Sequence, residues 1–215
     1  MSYIVERREE EKERRRGEFL DATESLYAKR GWEALTMDQV ARTARLSRAL
    51  IYVYFRDKDD LLYAIGERAM KQLYQRFAAA IETPGSGRDK VMAIGRAYMG
   101  YALEFPHYFD FCSRFVRHHS GSGVTPNEEA CERADDAVMG LLAQVIQSAV
   151  SDGSIAPRVA RDPMMLAFSL WAFTHGIVQI SVAKGADLAH HGAAAAEFGN
   201  YAFELLETLL RGAPA

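Results

Sequence analysis

Residues 36–58 read TMDQVARTARLSRALIYVYFRDK, two short helical patterns joined by a tight turn and followed at once by aromatic residues and a lysine. Thr36 with Gln39 three residues later forms a capping box that satisfies free amides at a helix start. Met37, Val40, Ala41 and Ala44 then recur at helical spacing, which predicts a helix over about 36–44. Ser47 is a second N-cap candidate. Beyond it Ile51 and Phe55 share one face, leaving Arg48, Ala49, Tyr52 and Val53 toward the other. A short helix with an apolar underside and a basic, aromatic outer side predicts a helix-turn-helix that grips double-stranded DNA. Asp57 is a third cap, and Leu61, Leu62, Ile65, Ala69, Leu73 and Phe77 carry a longer helix that anchors the unit. The competing reading is a plain helical hairpin whose arginines are merely solvated.

Charge weighs against that competitor. Residues 36–58 hold five basic side chains (Arg42, Arg45, Arg48, Arg56, Lys58) against two acids (Asp38, Asp57), although the chain carries a net charge of -3. Up to Lys58 the balance is +2, and after it -5. Phosphate neutralisation needs positive charge only where the nucleic-acid backbone passes, so the asymmetry fits a DNA-facing end and an acidic remainder. The run from Glu6 to Arg16 mixes six basic with five acidic residues and reads as a solvated helix start.

The stretch from Phe19 to Met70 closely resembles the N-terminal DNA-binding domain of TetR-type transcriptional regulators. The landmarks are Arg30-Gly31-Trp32 at the end of a first helix, Leu35-Thr36-Met37 entering the second, Ile51-Tyr52-x-Tyr54-Phe55 in the recognition helix, and Lys58-x-x-x-Leu62 opening the fourth. The resemblance implies that Arg48, Ala49 and Leu50 face bases and that Tyr52, Tyr54 and Lys58 contact phosphates. It places a phosphate contact at Thr36, with Met37 and Asp38 nearby, and Ser47 at the head of the reading helix. For Tyr52 and Tyr54 packing is the alternative to contact.

Three positions depart from the family pattern. Arg45 stands where the family usually has glycine, so it is expected to tolerate a left-handed backbone, unless the turn itself differs. Ala49 and Leu50 replace a common glycine and threonine. Neither can donate a hydrogen bond, which leaves Arg48 as a guanine reader and apolar contact with thymine methyls.

The remainder reads as all-α. At 215 residues and 49% hydrophobic composition the chain can bury a sizeable core. Prolines 84, 106, 126, 157 and 163 fall at breaks between helical patterns. The segments 59–81, 88–104, 106–118, 127–151, 162–184 and 193–211 join the first three as about nine helices. The expected organisation is a DNA-binding domain over 12–72 and an effector-binding and dimerisation domain over 73–215.

From Pro163 to Ala183 no residue is charged, a length that makes a membrane span a candidate. Ser169, Thr174, His175, Gly176, Gln179 and Ser181 interrupt the run. A helix apolar on most sides is also expected where one face meets its own core and another meets a partner subunit. That reading, with no membrane partner, is preferred. In the last helix Phe198, Ala202, Leu205 and Leu209 form a stripe, and Ala193 to Ala196 with Gly199 permit close approach. The resemblance implies a dimer built from the last two helices, here Trp171 and Gly176 with Phe198, Ala202, Leu205 and Leu209. Two recognition helices spaced roughly 34–36 Å apart would read successive major grooves of a palindromic operator.

Residues 98–115 hold seven of the 23 aromatic side chains. Tyr98, Tyr101, Phe105, Phe109 and Cys112, joined by Trp171, His175 and Gln179 from the later helix, are the candidate lining of a site for an apolar or aromatic small molecule. An ordinary aromatic core is the alternative, and His175 can equally be a core histidine satisfied by a carbonyl or water. The spacing Trp171-x-x-x-His175-Gly176 resembles a motif in the C-terminal domains of some TetR-type regulators.

Cys112 and Cys131 show no CxxC spacing, and the pairs His118-His119 and His190-His191 lack acidic or thiol partners. Neither a metal nor a cofactor is therefore expected. No nucleophile elbow, phosphate loop or paired-carboxylate motif points to an enzyme. No secretory signal is apparent, which suits a cytoplasmic protein. The expected function is a ligand-released repressor acting as a homodimer. The alternative is a helical small-molecule-binding protein or adaptor without DNA regulation.

Overall fold

A computed structural model describes residues 3–114, 123–192 and 194–211, which fold into ten helices with no strand among them. In chain order these are α1 (Tyr3–Arg30), α2 (Met37–Thr43), α3 (Arg48–Tyr54), α4 (Lys58–Ile81), α5 (Gly87–Glu104), α6 (Pro106–Arg114), α7 (Pro126–Ser151), α8 (Pro163–Ala183), α9 (Gly185–His190) and α10 (Ala195–Arg211). Helix starts coincide with the capping residues. Asp162 accepts the Met164 and Met165 amides at 2.8 and 3.1 Å ahead of Pro163, and Ser86 forms a capping box with Asp89. The expected count of nine omitted α9, a six-residue helix too short to show an apolar period. Phe115, His118, His119 and Ala193 lie outside the described residues.

The chain forms two compact units that interleave along the sequence. One comprises Met1–Ala69 with His107–Arg133, the other Met70–Pro106 with Ala134–Ala215.

The first unit closes over Phe19, Leu20, Leu35, Val40, Ile51, Phe55, Leu61 and Ile65, each at most 2% exposed. Burying side chains of this size contributes roughly 1.5–3 kcal/mol apiece, which lets the short α2 and α3 persist as helices. Helix α6 joins this core through Tyr27 Oη donating to Asp110 at 2.5 Å and Tyr108 Oη donating to Glu24 at 2.6 Å. Gly66 admits Phe111 and Cys131 so closely that a Cβ there would lie 2.2 Å from Phe111 Cζ.

In the second unit α5, α8 and α10 pack on one another. Helix α8 buries Ala167, Leu170, Thr174, Ile177 and Val178, and α10 buries Ala202, Phe203, Leu206 and Leu210. The opposite faces stay apolar and exposed: Met165, Phe168 and Ile180 on α8, Tyr201, Leu205 and Leu209 on α10. By length and composition Pro163–Val182 could cross a membrane, and only part of it is buried within its own chain.

Candidate nucleic-acid interface

Thr36 begins α2 as a complete capping box: its Oγ1 accepts the Gln39 amide at 3.3 Å, and Gln39 Oε1 accepts the Thr36 amide at 3.1 Å. Ser47 Oγ caps α3 by accepting the Leu50 amide at 3.2 Å. Ile51 and Phe55 are fully buried beneath α3. The side chains they push outward are Arg48 and Ala49, with Tyr52 at 47% and Val53 at 74% exposure. An exposed valine of this degree gains nothing from the core, and its place one helical turn on from Ala49 suits apolar contact with thymine methyls. The sequence placed Val53 on the outer face without singling it out as a contact.

The other expected contact residues are disposed differently. Leu50 is half-buried. Tyr54 is half-buried too, its ring centroid 5.8 Å from Phe19 and 6.3 Å from Phe55, so packing occupies much of it. Met37 is 7% exposed and belongs to the core, which leaves only its backbone amide able to reach a phosphate. Lys58 Nζ lies 5.0 Å over the Trp32 ring and donates to the Glu33 carbonyl at 3.3 Å. Arg42 pairs with Asp38 at 2.8 Å.

Behind the recognition helix stands a polar lock that the sequence did not reveal. Asp60, 3% exposed, accepts from the Arg56 amide (2.8 Å), the Thr125 hydroxyl (2.5 Å) and Asn127 Nδ2 (3.1 Å). Asn127 Nδ2 also reaches the Tyr54 carbonyl at 3.3 Å, and Arg56 Nη1 reaches the Gly123 carbonyl at 3.1 Å. The end of α3, the start of α4 and the start of α7 are thereby tied together. Asp57, the cap of α4, accepts the Asp60 amide at 2.8 Å. Burial alone would push its carboxyl up, but that amide and the Arg56 guanidinium outweigh it and hold Asp57 below the usual carboxylate range.

The second unit holds six of the candidate ligand residues, while Phe109 and Cys112 belong to the first. Tyr98 Oη meets His175 Nδ1 at 2.7 Å, and Trp171 stacks 5.1 Å from the His175 ring, so these three form one cluster. Tyr101, wholly buried, lies 5.4 Å from Phe105, and Arg76 lies over both rings at 5.8 and 5.2 Å. Arg76 was not anticipated. Gln179 is exposed.

Burial lowers the His175 imidazole below its ordinary range. The folded chain thus keeps it neutral where the unfolded chain protonates it, so unfolding takes up a proton as pH falls through the ordinary value of 6.5. Thermal stability is expected to drop over that interval, and less steeply in His175→Gln. Parallel melting curves against pH for the two proteins would discount the burial argument.

Of the expected dimer residues, Leu205 and Leu209 are exposed, Phe198 and Gly176 are half-buried, and Trp171 is 37% exposed. Ala202 is 5% exposed and faces its own core. The outward register of α10 is Tyr201, Leu205 and Leu209, which keeps Leu205 and Leu209 of the expected stripe and has Tyr201 in place of Ala202. Among the described residues no group of three or more potential metal ligands comes together.

Residues 19–65 match the family model "Bacterial regulatory proteins, tetR family", and residues 91–201 match "Tetracyclin repressor-like, C-terminal domain". The uncharacterized HTH-type transcriptional regulator YhgD of Bacillus subtilis is 24% identical over 149 residues, 69% of this chain and 74% of that protein. A protein of unknown function from Rhodococcus sp. RHA1 has a similar structure, with a TM-score of 0.75 at 26% identity over 92% of this chain and 95% of that one. The regulator FadR of Bacillus subtilis, solved in complex with stearoyl-CoA, shares the fold with a TM-score of 0.68 at 15% identity, over 92% of this chain and 98% of that one.

Proposed function

This chain belongs to the TetR family of DNA-binding transcriptional regulators, and we propose from that premise that it is a homodimeric repressor released from a palindromic operator by a small apolar or aromatic molecule. The observation that carries the proposal is the pairing of an exposed basic and aromatic reading face on α3 with an exposed apolar face on α8 and α10. One short recognition helix reads few base pairs, and a two-fold pair reads two half-sites. The protein acts in the cytoplasm, where its operator is accessible.

In this reading Arg48 reads a base, with Ala49, Leu50 and Val53 supplying apolar contact. Tyr52 and Lys58 hold phosphates, with Tyr54 and the α2 start at Thr36 and Met37 alongside. Lys58 first leaves the Trp32 ring, so part of its attraction to phosphate is offset by that lost contact. Arg48→Ala is expected to weaken binding by about 1–3 kcal/mol at one operator position, whereas Lys58→Ala weakens all sequences alike and flattens the salt slope by about one per helix. Titrations on matched and scrambled duplexes check this; equal losses from both variants on both duplexes would contradict the roles.

The effector site is proposed around Tyr98, Trp171 and His175, with Tyr101 and Phe105 adjoining. A mostly apolar wall with a few polar groups suits an apolar molecule that carries one hydrogen-bonding end. That a regulator of this fold was solved with stearoyl-CoA supports an acyl ligand. Release requires the ligand to bind the DNA-free state more tightly.

The decisive experiment is selection of duplexes from genomic fragments by the purified protein, with light scattering of the same sample. An inverted repeat bound by a particle of twice the chain mass is expected. A monomer that enriches no sequence would refute the proposal, and a particle that needs detergent to stay in solution would favour membrane attachment of α8.

A further inference from the structure

Helix α2 ends in a Schellman turn. The Leu46 amide donates to the Ala41 carbonyl at 3.0 Å, and the Arg45 amide donates to the Arg42 carbonyl at 3.1 Å. The residue at the bend of this motif takes left-handed backbone, a place that favours glycine because it has no Cβ to crowd the following carbonyl. Here it is Arg45, with φ of 57°, the one non-glycine residue with positive φ among those described.

Among the described residues no side-chain partner of Arg45 offsets that strain. Its side chain is exposed, and no hydrogen bond or ion pair involves it among the described residues, whereas Arg42 one turn earlier pairs with Asp38. The neighbours at three residues on either side, Arg42 and Arg48, are also cations, whose repulsion works against the attraction of the α2 carbonyl end for a third. A strained backbone, cationic neighbours and an unpartnered guanidinium coincide at the entrance to the recognition helix, two residues before its Ser47 cap. Backbone strain of this kind clusters where a chain binds something.

We propose that Arg45 is a phosphate clamp added to the reading head of this chain: its guanidinium bonds a backbone phosphate beside the groove that Arg48 reads. The proposal rests on the DNA-binding reading. A guanidinium matches phosphate in a two-pronged geometry, and the contact holds the duplex in register without reading its sequence. Stability of the free protein is thereby lowered in exchange for affinity toward any duplex.

The test compares wild type, Arg45→Gly and Arg45→Lys in two measurements: melting of the free protein, and titration at several salt concentrations of a labelled duplex selected by the wild type and a scrambled duplex of equal length. Arg45→Gly is expected to melt about 2 °C higher, because relief of the bend exceeds the extra freedom glycine gives the unfolded chain. It is also expected to bind both duplexes roughly five- to tenfold more weakly, with a salt slope lower by about one for each recognition helix engaged. Arg45→Lys should keep the slope and lose only part of the affinity. Unchanged affinity and slope in Arg45→Gly overturn the proposal, as does a loss confined to the selected duplex, which would make Arg45 a base reader. A lower melting temperature in Arg45→Gly overturns the strain argument on which it stands. A wild type that binds neither duplex refutes the DNA-binding reading itself.

Discussion

Replacing Leu205 and Leu209 together by glutamate is expected to yield a folded, soluble monomer that has lost operator binding by roughly 10²–10⁴-fold, the factor by which a second linked half-site raises overall affinity. Both side chains are exposed in the single chain, at 45% and 65%, so the glutamates are solvated in the monomer and leave the α10 core of Ala202, Phe203, Leu206 and Leu210 intact. Helical content and melting should therefore change little at concentrations where the wild type is already dissociated. In the proposed two-fold pair the same substitutions bring four carboxylates onto an apolar face. Like charges there carry both desolvation and repulsion, several kcal/mol in all. Light scattering and operator titration on one preparation check the result. A variant that remains dimeric places the interface elsewhere, and one that becomes monomeric with full affinity removes the need for a dimer.

That face was only partly legible in the sequence. The stripe Phe198, Ala202, Leu205 and Leu209 obeys helical spacing, but an apolar helix with two apolar sides offers several such stripes. Only the packing of Phe203 and Leu206 against the rest of their unit shows which one points inward. The helix-turn-helix was far more legible because its determinants are local. Thr36 with Gln39, Ser47 ahead of Leu50, and Ile51 with Phe55 act within one turn of helix, and the backbone follows them. The left-handed bend at Arg45 was legible only through the family resemblance, which usually places glycine there, and the backbone takes it with φ of 57°. Exposure was harder to read. Met37 and Tyr54 sit at positions where the family resemblance implies DNA contacts, yet local packing claims one wholly and the other in part. Pairings across long separations left no local trace. Tyr98 with His175 and Asp60 with Thr125 and Asn127 are each more than sixty residues apart, and no periodicity encodes them. One half of the second pairing had a signal: Thr125-Pro126-Asn127-Glu128 is a helix-start signature, and Thr125 Oγ1 indeed accepts the Glu128 amide at 3.1 Å.

Asp60→Ala is expected to be strongly destabilising, at about 3 kcal/mol, or roughly 6–12 °C in melting temperature for a chain of this size. The carboxylate takes hydrogen bonds from the Arg56 amide, the Thr125 hydroxyl and Asn127 Nδ2 while only 3% exposed. Truncation leaves two N–H donors facing a dry gap, each costing about 1–3 kcal/mol, while the Thr125 hydroxyl can turn to another acceptor. Asp60→Asn separates this hydrogen bonding from charge. Its amide oxygen can still accept from Arg56 and Asn127, and its NH2 can face Thr125 Oγ1, so a loss under about 1.5 kcal/mol is expected. The same lock reaches the Tyr54 carbonyl at the end of α3 and the Asp57 cap at the start of α4. Asp60→Ala should therefore also weaken operator binding at temperatures where the protein is still folded, because the recognition helix loses its fixed angle on α4. If Asp60→Ala melts within a degree or two of wild type, water reaches the site and the lock contributes little. If it melts low but binds DNA normally once folded, the lock serves stability alone and α3 is positioned by Ile51 and Phe55.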